Sequence, residues 1–145
     1  MSAHCAANET LMKKMVIAGN PSSPEFERFL NKHTKNQFLR GLRWVLHIPD
    51  TKPGHCLQAG FIQGIQEMGR RGLLFDICIR PSDLSDAAKL ATTCPETTFV
   101  IDHCGNADPH TVNGEKDLGG EQDGSPFWQT SNGWKEDIAA LGDLT

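Results

Sequence analysis

The sequence has no apolar run approaching the ~20 residues needed to cross a bilayer, and its opening, MSAHCAANETLMKKM, lacks the continuous apolar centre of a secretion signal. Both absences point to a cytoplasmic protein with no membrane partner. A basic stripe is also missing. The formal charge is -4, and the 14 Lys and Arg residues fall singly or in pairs such as Lys13-Lys14 and Arg70-Arg71, so nucleic acid is excluded as an expected partner. No Gly-rich phosphate loop is present, which counts against nucleotides. The five cysteines (Cys5, Cys56, Cys78, Cys94, Cys104) are an odd number, and Cys78 and Cys104 lie in or beside apolar runs, as reduced structural thiols do. The His-Cys dipeptides at His4, His55 and His103 have no zinc-finger spacing.

What is present is a repeat. Four short apolar runs, Met15 to Gly19, Leu42 to His47, Leu73 to Arg80 and Thr98 to His103, read as strands, and their starts lie 25 to 31 residues apart. That spacing leaves room for a helix and two loops each time, hence a parallel βα repeat. The intervening stretches carry apolar stripes at helical spacing: Phe26, Phe29, Leu30 and His33, then Phe61, Ile62, Ile65 and Met68, then Leu84, Ala87, Ala88 and Ala91. Ser23-Pro24 and Ser82-Asp83 look like helix starts, and Gly69 and Gly72 end the second helix. Residues 107–133 read as a long polar loop, and Trp134, Ile138 and Leu141 predict a last helix. Four such units leave a parallel sheet open, whereas a (β/α)8 barrel needs about 250 residues and eight units. The fold class is therefore α/β, one partial TIM-barrel domain over 1–145.

Strand alternation assigns faces. Arg43, Val45 and His47 share one side, as do Asp76, Cys78 and Arg80, opposite Leu42, Trp44, Leu46 and Phe75, Ile77, Ile79. Helices cover a barrel with apolar contacts, so the polar sides are expected inside. The same count groups Phe99, Ile101 and His103 as inward and turns Asp102 outward as a structural carboxylate. His47, Arg80 and His103 then stand at carboxyl ends of strands, where barrel enzymes carry their chemistry, and are the candidate catalytic residues. His47 and Arg80 also have an ordinary reading as loop or ion-pair residues. Asp76, inside a strand, calls for an internal partner, Arg43 or Arg80. Arg43, Asn106 and Asp108 are candidate substrate-binding groups, the last two reaching in from the loop.

Arg40 to His47 (RGLRWVLH), Gly69 to Pro81 (GRRGLLFDICIRP), the helix into Pro95, and above all Thr98 to Gly105 with its Asp-His-x-Gly signature resemble the amidohydrolase-related family of metal-dependent hydrolases, which contains sugar-lactone and pyrone-dicarboxylate lactonases. The resemblance covers roughly 15–108, and Trp134 to Leu141 is similar to the next family helix. It implies attack of water on a lactone or amide carbonyl of a small carboxylate or sugar-derived substrate, with a divalent metal (zinc or manganese) or histidines polarising that carbonyl and an Asp shuttling protons. It makes His103 the fifth-strand histidine, which would ligate metal or hydrogen-bond the carbonyl. The family's His-x-His pair is absent, since no two of the six histidines are two residues apart, and no strand ending in the eighth-strand Asp follows. The chain thus reads as about strands two to five, expected to be inactive alone and to hold no metal of its own. Decarboxylation is the alternative within the family. Outside it stand a small α/β ligand-binding module without chemistry, and an interaction module whose open sheet edges pair with a second copy or a complementing chain.

Overall fold

Each expected strand forms. The computed structural model describes residues 3, 13–109 and 131–142, so His4, Cys5, His110 and most of the polar loop lie outside the described residues. Strands β1 (Met15–Ala18), β2 (Leu39–Val45), β3 (Leu74–Cys78) and β4 (Phe99–Ile101) form one sheet in the order β1-β2-β3-β4, every pair parallel. Helices α1 (Phe26–His33), α2 (Ala59–Arg70) and α3 (Leu84–Thr93) are the crossovers, and α4 (Ser131–Gly142) follows β4. This is the open four-unit α/β sheet that the periodicity predicts. β2 starts three residues early, at Leu39, because Asn36 closes a turn there: its side chain accepts from the Phe38 amide and its carbonyl from the Leu39 amide. Helix α4 begins at Ser131, inside the stretch read as loop.

The helix-facing side of the sheet is the core. Leu42, Phe75 and Ile77 have no exposed surface and pack on Leu30, Phe61, Ile65, Met68, Leu84 and Leu90, which have none either. Phe75 is the hinge of an aromatic chain, edge-on to Phe61 at 5.7 Å and to Phe99 at 6.4 Å. Edge-to-face contacts at these distances favour one packing over others. Gly64 of α2 admits the backbone of Pro21 so closely that a side chain there would strike it, which seats α2 against the loop after β1.

Registers fix what shares a layer on the opposite, concave side: Ala18 pairs with Arg43, Arg43 with Asp76, and Asp76 with Val100. One layer higher, Val45 pairs with Cys78, and the Asp102 amide donates to the Ile77 carbonyl. Among the described residues, no helix is long and apolar enough to cross a membrane.

Candidate functional site

Phe75 pairs with Phe99 and Ile77 with Ile101, so Phe99 and Ile101 lie on the helix side with the core. Their alternates, Val100 and Asp102, therefore face the concave side. This corrects the expectation that Phe99, Ile101 and His103 point inward and Asp102 outward. The signal was in the sequence: the rule that put apolar alternates under the helices in β2 and β3, applied to β4, puts Phe99 and Ile101 there too. His103 belongs to neither face, because β4 ends at Ile101 and the chain turns at once.

Asp102 is buried, and its Oδ2 lies 2.7 Å from Arg43 Nη2 as an ion pair. That atom is outside hydrogen-bond geometry with Arg43, so the contact is chiefly Coulombic. The same Nη2 is 3.6 Å from Asp76 Oδ2. Asp76 thus has the internal arginine partner its position calls for, and that partner is Arg43. Burial, then the Asp102 charge, pushes the Asp76 carboxyl above its ordinary range, and Arg43 pulls partly against them. With two carboxylates on its guanidinium, Arg43 is the holder of Asp102 rather than an unengaged cation.

Cys78 sits at the centre of the next layer. Its Sγ is 3.7 Å from His47 Nε2, and its thiol also meets the side chains of Asn106 and Asp102. Burial pushes that thiol up, which keeps it protonated and a poor nucleophile at neutral pH. Burial, then the Arg80 charge, lowers the His47 imidazole, so it is neutral at pH 7 and can accept a hydrogen bond. The cluster of His47, Cys78, Asp102 and Asn106 occupies the carboxyl ends of β2, β3 and β4, where a barrel carries its chemistry. Cys78 is the member that periodicity placed on the right side but gave no role.

Arg80 has a different position from the one expected of it. It is 2% exposed, and its guanidinium donates to the Leu46 carbonyl at 2.8 Å, to Asp83 at 2.9 Å and to the Thr51 carbonyl. It braces the loop after β2 instead of presenting a charge to the rim. Asn106 donates from Nδ2 to the Ile79 carbonyl at 2.7 Å. His103 and Asp108 are exposed beyond the end of β4.

A cavity of about 790 Å³ lies on the other side of β4, lined by Phe99, Ile101, Cys104, Ile138 and Leu141 among others. It holds none of Arg43, His47, Cys78 or Asp102, so this apolar cleft and the polar cluster are separate places. No group of three or more His, Cys, Asp or Glu among the described residues could hold a metal ion, whereas catalytic zinc ordinarily takes three protein ligands. The described residues by themselves do not fit such an ion.

Parallel βα units with polar groups at the strand ends define part of a (β/α)8 barrel. The amidohydrolase family profile matches residues 3–143, and the chain belongs to that family. A crystal structure of an amidohydrolase from Burkholderia multivorans with bound zinc is similar in fold, with a TM-score of 0.69 and 17% identity over 90% of this chain and 40% of that one. A second crystal structure of an amidohydrolase from the same organism, with bound HEPES, gives 0.63 and 16% over 87% and 39%. This chain therefore spans about two fifths of the solved chains it matches. No curated protein matches it.

Proposed function

We propose that this chain supplies the middle strands of a hydrolase site in which water attacks the carbonyl of a lactone or amide in a small carboxylate or sugar-derived substrate. The observation that carries the reading is the convergence of His47, Cys78, Asp102 and Asn106 at the carboxyl ends of three adjacent strands in a chain of the amidohydrolase family. The water oxygen bonds to the carbonyl carbon, the ring C–O or amide C–N bond breaks, and the proton passes to the leaving atom. His103, just past β4, hydrogen-bonds the carbonyl oxygen. Neutral His47 accepts from a substrate hydroxyl, and Asp108, exposed past the turn, binds the part of the substrate that projects from the site. Asp102, held by Arg43, gives the site a fixed negative floor. In the family a divalent ion, zinc or manganese, supplies Lewis-acid polarisation, but the described residues do not make a ligand set for one and no step here is assigned to it.

Among the described residues β1 and β4 each pair on one side only, which supports a further part of the proposal: the rest of the site comes from outside these four strands, through a continuing barrel, a complementing chain or a second copy, in the cytoplasm. The test is hydrolysis of a panel of lactones and amides with zinc or manganese added. The chain alone is expected to show no ordinary turnover. Turnover is expected once the missing strands are supplied, and His103→Ala should lower it at least about 100-fold. Full activity of His103→Ala would overturn the reading, and so would ordinary turnover by the isolated chain. Carbon dioxide release from a carboxylate substrate would favour decarboxylation instead.

A further inference from the structure

The backbone after β4 adopts a rare conformation. His103, Cys104, Gly105 and Asn106 have φ of 50°, 52°, 73° and 55°, four successive residues in the left-handed region. One such residue is common in a turn, but a run containing three residues other than glycine is costly and persists only where neighbouring structure imposes it. The sequence accounts for part of it, since Gly105 bears a left-handed φ without strain and Asn is the next most tolerant type. His tolerates it better than most types, but nothing in Cys104 favours it.

The contacts identify what imposes the turn. The Gly105 amide donates to the Asp102 carbonyl at 2.8 Å, and a Cβ at Gly105 would come within 2.6 Å of Leu84. Asn106 reaches back across the sheet end: its Nδ2 donates to the Ile79 carbonyl at 2.7 Å, and its side chain lies near enough to the Cys78 thiol to influence it. It is the residue that ties the end of the turn to the end of β3. We propose that Asn106 is a positioning residue whose amide locks the left-handed turn and so fixes the direction in which His103 leaves β4. This assignment rests on the reading of His103 as a site residue, and it gives Asn106 a role other than substrate binding.

The test is NMR of the labelled full chain. In the wild-type protein, HN–Hα couplings and intraresidue NOEs at His103 and Cys104 should report positive φ. Asn106→Ala should remove positive φ at both and shift the His103 ring resonances, while amide shifts from β1 to α3 stay in place. Asn106→Asp keeps the shape but cannot donate to Ile79, and should behave as Asn106→Ala does. Should the Asn106 variants fail to fold, Cys104→Gly gives an independent reading: relief of strain should raise the folding equilibrium constant about 3- to 10-fold. Retention of positive φ at His103 and Cys104 in Asn106→Ala would overturn the proposal, as would an unchanged or lower folding constant in Cys104→Gly. Loss of the turn with undiminished turnover in the assembled enzyme would instead overturn the catalytic role of His103.

Discussion

The two faces of the sheet obey different rules. Under the helices, Leu42, Phe75 and Ile77 are fully buried among apolar neighbours, and their stabilisation comes from area removed from water and close packing. On the concave side, Arg43 keeps 42% of its side chain exposed and holds two carboxylates that repel each other. Burying charge there costs free energy that only good pairing offsets. The first face sets the fold, and the second carries groups that the fold alone has no need of. Such a division is expected where a stable scaffold bears a site.

Substitutions should separate the faces by size of effect. Phe75→Ala removes the centre of the aromatic chain and should cost about 3–5 kcal/mol in a urea unfolding series; a loss under about 1 kcal/mol would contradict the core assignment. Arg80→Ala strands Asp83 and three carbonyls that its guanidinium now serves, and about 3 kcal/mol should be lost. Arg80→Lys, with no planar fork, should recover little of it. A solvated rim arginine would show almost no change.

Smaller effects on the concave side should appear as pH slopes of opposite sign. His47 is held below its ordinary value of 6.5, so the folded state binds fewer protons and stability is lost as pH falls from 6.5 through the folded pKa. His47→Gln should abolish that loss. Asp76 is held above 3.8, so the folded state binds more protons and stability is lost as pH rises from 3.8 through its folded pKa. Asp76→Asn should therefore gain on the wild-type protein over that interval and match it below pH 3.8. Equal slopes in the variants and the wild-type protein would remove the electrostatic account of this face.

Much of this was legible in the sequence. The spacing of four apolar runs contains the parallel order, and two-residue alternation in β2 and β3 puts Arg43, Asp76 and Cys78 on one side, as the registers have them. The rest depends on contacts between strands. β4 has only three residues, and both its alternating sets contain apolar side chains, so its own alternation is weak; the rule carried over from β2 and β3 gives its facing, and the pairing of Phe75 with Phe99 fixes it. Arg80 follows strand parity on paper, but β3 ends at Cys78, and beyond a strand end the loop decides where a side chain goes. Likewise, no local pattern marks a left-handed turn at His103 and Cys104, because partners distant in sequence hold it.

The inward placement of Asp102 is the claim on which the concave site depends, and a double-mutant cycle between Arg43 and Asp102 tests it directly. With Arg43→Ala, Asp102→Ala and the double variant unfolded in urea, the structure predicts a coupling of about 1 kcal/mol, below that of a fully buried pair because Arg43 is partly solvated. A coupling indistinguishable from zero would contradict the Arg43–Asp102 pair on which the site is built.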